Sequence, residues 1–464
     1  MPQILNRRSF LAHATCSMVA APLLARVNGF VLADKAGKSP EPSRVSLNIR
    51  DFGARADGAT RDTAAIQQAV DRCAALGGGE VLVPAGNYLT GAVALRANTT
   101  LRLDKDAALQ GSPDFADYPV SQVRWEGKWI EGHTALLYAI DAANIAVVGS
   151  GKIVGNPALG GRPNAQNPLR HPALMEFIRC SNVRLEGFST SYDHMWSVHP
   201  TDCEDVTIRG LTIRSTGGNG DGIDIDSCRR VWIDGCDIAT GDDCISLKSG
   251  RGEEGYTLQR PTEDVRITNC TFADSIFACI GIGSETSGGI RGVRIERCRF
   301  THARTYAIYI KSRVGRGASI EDIVATDLDV SGMEGGFLRL ELLHSGIQDP
   351  APVPGLEGIP SAANCRFSNV RVSGVPVLVD GVDISPEKPL QGLTLENIRG
   401  TCTRGIMLAN VKGAEIRNVS VTGYSGPLIG IHNVTGKGLR DAAPIEGPKV
   451  PDPIPAAAEA FRLR

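Results

Sequence analysis

Two near-copies of one short pattern, 22 residues apart, constrain this chain more than any other feature. Asp221-Gly222-Ile223-Asp224-Ile225 and Asp243-Cys244-Ile245-Ser246-Leu247 each run carboxylate, variable, apolar, polar, apolar. Strict alternation reads as a strand with one buried face. Its return at this interval reads as successive turns of a solenoid, because one such unit cannot bury its apolar face alone. Similar apolar-x-apolar units fall at 99–103, 145–148, 183–185, 206–208, 231–233, 265–267 and 293–295, with weaker copies at 320–323, 365–367, 393–395 and 414–416. Their spacing varies, which places insertions in loops and leaves the repeat intact. The pattern predicts an all-β chain folded as a right-handed parallel β-helix, one elongated domain over 45–440. The 53 glycines and the 5% of aromatic residues fit many tight turns and short strands.

An open solenoid end exposes apolar surface, so an amphipathic cap is expected there. Ala65, Ile66, Ala69 and Val70 follow helical spacing, with Asp62-Thr63 as the expected cap of a helix over about 64–76 and Gly77-Gly78-Gly79 as its stop. The Pro- and Ala-rich tail, 441–464, reads as irregular. Asn6-Arg7-Arg8-Ser9-Phe10-Leu11, followed by a moderately apolar stretch, reads as a twin-arginine export signal within 1–36. That predicts a periplasmic or extracellular protein. The stretch is too short and interrupted to span a membrane. A net charge of −2 gives no reason to expect nucleic acid or an anionic membrane as partner.

Twelve cysteines could form a disulfide framework. Cys236, Cys270 and Cys298, however, recur at one place in WIDGC, RITNC and RIERC, as a column of small buried residues would. Disulfides between neighbouring coils stay open, and no CxxC pair points to zinc.

Aligning the coils on Ile223/Ile225, Ile245/Leu247, Ile280/Ile282 and Ile308/Ile310 gives three columns. Two residues ahead of each pair stand Asp221, Asp243, Ala278 and Tyr306; outward stand Asp224, Ser246, Gly281 and Tyr309; the next outward are Asp226, Lys248, Gly283 and Lys311. One face therefore carries acids, hydroxyls and lysines, with glycines that leave room for a ligand. Asp221 and Asp243 should stack about 4.8 Å apart, the spacing of neighbouring strands. Asp242 adds a third carboxylate, and acids crowded in this way resist ionising together. A shared acid and base is what glycoside hydrolysis requires. Two insertions flank this face: 111–133 with Trp125 and Trp129, and 156–172 with Arg162, Arg170 and His171. Either binds sugar rings or packs against the barrel.

These motifs resemble family 28 of the glycoside hydrolases, the polygalacturonase family, over about 45–430. The resemblance is carried by RWEGKW, Trp196-Ser197-Val198-His199-Pro200, Asn219-Gly220-Asp221, Gly241-Asp242-Asp243 and Gly283-Ser284-Glu285-Thr286-Ser287-Gly288-Gly289. It implies inverting hydrolysis of a pectic chain of galacturonan or rhamnogalacturonan type, an acidic plant cell-wall polysaccharide or oligosaccharide. Asp242 would be the general acid, while Asp221 and Asp243 hold and deprotonate water across a gap of about 6.5–9.5 Å. Asn219, Lys311, Tyr309, His199, Lys248 and Arg316 are the candidate substrate-binding residues. No metal or organic cofactor is implied, and a monomer is expected.

The chain departs from the family pattern twice. Where the family has Gly-His-Gly, the histidine position is Ala278; where it has Arg-Ile-Lys, this chain has Tyr309-Ile310-Lys311. Tyrosine cannot make arginine's two-pronged contact with a carboxylate, so Arg313 or Arg316 would have to compensate, or the substrate is a branched or mixed pectic chain. His194, His302 and His344 carry weaker claims to the site. A non-catalytic glycan-binding β-helix and a calcium-dependent pectate-type lyase are the alternatives. Long loops before Pro172 motivate attack from a chain end.

Overall fold

The computed structural model describes residues 45–165, 167–193 and 195–455. The twin-arginine segment and His194 lie outside them. Each coil contributes up to three strands, and each strand pairs in parallel with its counterpart one coil on. One stack includes Ala143–Gly149, Ser181–Glu186, Glu204–Arg209, Arg229–Asp234, Thr262–Thr268 and Ile290–Glu296. A second includes Lys152–Val154, Thr212–Ser215, Asp237–Thr240 and Thr271–Ser275. The third includes Met175–Ile178, Val198–Thr201, Ile223–Asp226, Ile245–Lys248, Ile280–Ile282, Tyr306–Lys311 and Gly336–Glu341. Later coils merge their strands into long bent ones, Ser361–Asp383 and Leu390–Thr422. The chain is a right-handed parallel β-helix.

The register is the one the alternation predicts. Ile223 pairs with Ile245, Ile245 with Ile280 and Ile280 with Ile308, so the isoleucines form continuous buried columns. Phe272 and Phe300 stack likewise, 4.9 Å between ring centres. The coils turn one corner through a left-handed residue, at Asn144, Asn182, Asp205, Arg230 and Asp264 among others. Asparagine and aspartate tolerate that conformation, and the Asn98, Asn144 and Asn182 amides hydrogen-bond in a ladder along it.

The capping helix, Thr63–Ala75, buries Ala65, Ile66, Ala69, Val70 and Cys73 against the first coil. Asp62 stands at the N-cap position, but its carboxylate does not cap the helix. It accepts instead from the Arg55 and Ala56 N–H groups, at 2.7 and 3.0 Å, and so ties the preceding loop to the helix start. Over its described residues, 441–455, the tail is mostly irregular, with one short strand, Ala443–Pro444, laid along Gly430-Ile431. Among the described residues the eleven cysteines are all buried and unpaired. Cys236, Cys270 and Cys298 line one interior column, and Cys180, Cys203 and Cys228 another, where the Sγ of Cys203 accepts the Cys180 N–H and that of Cys228 the Cys203 N–H. No helix among the described residues is long and apolar enough to cross a membrane.

Candidate active site

Asp221 and Asp243 stand just ahead of their strands, one coil apart, and the Gly222 N–H donates to the Asp243 carbonyl. Asp242 is turned out of that column. Its carbonyl accepts from the Thr240 and Ser275 hydroxyls, at 2.7 and 2.8 Å, and its Oδ1 accepts the Asp243 N–H at 3.0 Å. Gly241 permits this turn: a Cβ there would lie 2.1 Å from the Gly217 carbonyl oxygen. One oxygen of each carboxylate lies within 4.8 Å of the others.

Three negative charges at this spacing cannot all be comfortable. Burial, then the charges of Asp224 and Asp242, push Asp221 well above the usual carboxylate range. Burial and the neighbouring Asp243 raise Asp242 to about 6. Asp243 is anchored differently: Lys311 Nζ donates to its Oδ2 at 2.7 Å, the Ala278 N–H to its Oδ1 at 3.2 Å, and the Ser246 hydroxyl to its Oδ2 at 3.4 Å. The lysine and a backbone amide therefore serve Asp243 where the family pattern has a histidine. Gly281 is filled by this pair, because a Cβ there would sit 2.4 Å from Asp243 Oδ2 and 3.2 Å from Lys311 Cε. The glycine makes room for the ion pair as well as for a ligand.

Asp221, Asp242, Asp243, Asn219, Lys248 and Lys311 share one cleft of about 220 Å³ with Phe277, Glu285 and Trp196. Asn219 Nδ2 donates to Asp221 at 3.4 Å, and Trp125 Nε1 donates to Asn219 Oδ1 at 3.3 Å. Lys248 lies 3.3 Å from Glu285 and 3.5 Å from Asp224, with its ammonium 5.1 Å from the centre of the Trp196 ring. Burial opposes both charges of the Lys248–Glu285 pair. Even so, Lys248 is held well above its ordinary value by Glu285 and Asp224, and Glu285 is lowered to about 2 by Lys248 and Arg316.

The other candidates stand elsewhere. Tyr309 is 8% exposed; its phenol donates to Glu341 and its ring stacks on Phe277 at 5.7 Å, so Phe277 faces the cleft in its place. His199 is fully buried behind Trp196, with Nδ1 against the Asp224 carbonyl and Nε2 against the Thr201 hydroxyl. Burial lowers it to about 3, so it is neutral. Arg316 is also fully buried and donates to the carbonyls of Ser284 and Ile347, which leaves it unable to reach a ligand in the cleft. Arg313 is tied to the Gly346 carbonyl, and His302 and His344 bond Asp274 and the Lys449 carbonyl.

The first insertion is a hairpin, Val120–Trp125 with Lys128–His133, turning through Glu126 and Gly127, both at positive φ. It docks through buried Arg124, whose Nε lies 3.0 Å from Asp226. Arg124 also packs 5.3 Å over Trp129, so that tryptophan is held as packing. From the second insertion, Arg170 pairs with buried Glu176 at 2.8 Å, while Arg162 reaches the cleft beside Glu126, 3.6 Å away. Ser345-Gly346-Ile347 forms the opposite wall. Sequence reasoning missed Phe277 and that wall. The helix Gly252–Leu258 was also unread, though the long interval between the coils at 231 and 265 marked an insertion there.

A parallel β-helix carrying three crowded acids flanked by lysines in a groove is a glycoside hydrolase architecture. The profile of the glycosyl hydrolases family 28 matches residues 73–338, and the chain belongs to that family. A probable polygalacturonase of Vitis vinifera is 30% identical over 369 residues, 76% of this chain and 74% of its own length. An exo-poly-alpha-D-galacturonosidase of Dickeya chrysanthemi is 28% identical over 310 residues, 54% of this chain and 49% of its own. Among solved structures, a hyperthermoactive exopolygalacturonase from Thermotoga maritima superposes with a TM-score of 0.68 at 26% identity, covering 86% of this chain and 92% of that one.

Proposed function

We propose that this pectin-degrading glycoside hydrolase cleaves its substrate by single displacement with inversion, working from a chain end. The observation that carries the reading is the unequal environment of three adjacent carboxylates. Asp242, raised to about 6, keeps a proton into mildly acidic solution and gives it to the glycosidic oxygen. Asp243, 2.7 Å from Lys311 Nζ, takes the proton of a water that Asp221 helps to orient. Asn219 fixes Asp221. Lys248, Lys311 and Arg162 are the cleft's cations and take the substrate's carboxylate.

Tyr309 and its bond to Glu341 favour a pectic chain in which neutral sugars alternate with or decorate galacturonate, over plain galacturonan. The small cleft, walled by Glu126 and Arg162 on one side and 345–347 on the other, supports release of short products from a chain end. The Arg7-Arg8 segment supports twin-arginine export and action outside the cytoplasm. The enzyme works as a single chain, which supplies the triad, the cations and the cleft walls.

One observation favours a second reading. Carboxyl groups about 5–5.5 Å apart suit a double displacement with retention, and the nearest oxygens here lie within 4.8 Å. Retention needs only two acids, however, and leaves the third without a task. Products from galacturonan and rhamnogalacturonan oligosaccharides, read by mass spectrometry, test the assignment. Short, saturated, hydrated products from wild type alone, and none from Asp242→Asn, are expected. Unsaturated products would indicate a lyase, and binding without turnover would overturn catalysis. Long early products would overturn attack from the chain end.

A further inference from the structure

A second groove lies on a different stack of strands from the active site. Trp232, Arg266 and Arg294 occupy the same outward position on three consecutive coils: Trp232 pairs in register with Arg266, and Arg266 with Arg294. At about 4.8 Å per coil, the three side chains run as a ladder along the solenoid axis. They line a concavity of about 730 Å³, much larger than the cleft at the acids.

The ladder is built to present an aromatic face and positive charge together. Trp232 is 39% exposed, in a chain with four tryptophans. Its Nε1 donates to the Thr268 hydroxyl at 3.1 Å, and Arg209 stacks over it at 4.7 Å. The indole is therefore fixed before any ligand arrives, which lowers the entropic cost of binding to it. Arg266 is exposed, and its side chain has no hydrogen bond or ion pair among the described residues. Arg294 donates only to the carbonyls of Val293 and Asp322, so no carboxylate neutralises it. The groove's acids are largely occupied: Asp234 accepts from Thr268 and Asn269, and Glu296 pairs with Arg297. Asp264, at a coil corner, carries the remaining negative charge.

A flat aromatic beside evenly spaced, unneutralised guanidiniums suits a chain of rings bearing carboxylates. We propose that this groove is an auxiliary binding site for the galacturonate stretches of a pectic chain. One sugar ring stacks on Trp232, and the carboxylates of the next residues pair with Arg266 and Arg294 in the two-pronged manner of guanidinium and carboxylate. The site holds the polymer close to the enzyme while the cleft works on an end. Its choice of occupant rests on the pectic substrate proposed above.

The test uses Trp232→Ala and Arg266→Glu, two changes at exposed positions, each in the otherwise intact protein. Retention in gels carrying polygalacturonate or a neutral dextran is measured, with turnover of a short pectic oligosaccharide as control. Retention by polygalacturonate should weaken at least about fivefold in either variant, and wild-type retention should fall as salt is added. Dextran retention and oligosaccharide turnover should match wild type. Equal retention of the variants, no retention of wild type, or equal retention by dextran would overturn the proposal. Retention lost in the variants, by a wild type that cleaves no pectic chain, would sustain this site and sink the proposed activity instead.

Discussion

Asp242→Asn separates what Asp242 does for chemistry from what it costs the fold. The carboxamide keeps the oxygen that accepts the Asp243 N–H, so the turn should survive. Burial and the neighbouring Asp243 lift the carboxyl from 3.8 to about 6. That rise corresponds to about 3 kcal/mol between the protonation states. Allowing for the solvent that reaches this partly open side chain, about 1–2 kcal/mol is the cost of holding it ionised. The sign follows from proton binding: the native state holds this proton more tightly than the unfolded chain, so stability falls as pH rises from about 4 through about 6. The Asn variant escapes that cost. It should be more stable than wild type by about 1–2 kcal/mol at pH 8, and the gap should close as pH falls toward 4. Urea unfolding at both pH values measures it. Turnover should fall by about 10²–10⁴, the usual contribution of a general acid. Wild-type turnover should itself decline as pH rises through about 6, as Asp242 loses its proton. A variant that is active, or one whose stability relative to wild type does not depend on pH, would refute the assignment.

Gly281→Ala puts a methyl group where Asp243 and Lys311 meet, and turnover should drop at least about tenfold while the melting temperature moves little; unchanged turnover would mean the pair is not needed. Arg124→Met leaves Asp226 buried without its cation, and should destabilise the protein by about 3–5 kcal/mol in chemical unfolding. Burial alone would raise Asp226, and Arg124 holds it below its ordinary value, so the loss should be full at neutral pH and shrink in acid. Treatment with a chelator should leave activity intact, because Lys311 already supplies the positive charge beside Asp243; loss of activity restored by calcium would favour lyase chemistry.

The columns at the acids were legible because β-helix register follows from alternation alone: once Ile223 and Ile245 share a column, Asp221 and Asp243 must stack. Asn219, Lys248 and Lys311 came with them, since each lies within a few residues of a column. The unread parts depend on contacts between distant segments. Nothing local to Arg316 says that the Ser284 and Ile347 carbonyls will bury it, and nothing local to Tyr309 says that Phe277 will cover it. Asp62 was misread for a similar reason, because its carboxylate serves a loop that the helix pattern does not include. The insertion over 111–133 was marked, but neither its hairpin nor its dock on Asp226 was.

Inversion is the claim that ties the triad's geometry to its chemistry, and proton NMR of the first product formed from an α-linked pectic oligosaccharide tests it most directly. The roles proposed for Asp242, Asp221 and Asp243 predict that the β-anomer appears first and equilibrates to the α-anomer later. An α-anomer at the earliest times would mean that one of the three carboxylates attacks the sugar itself.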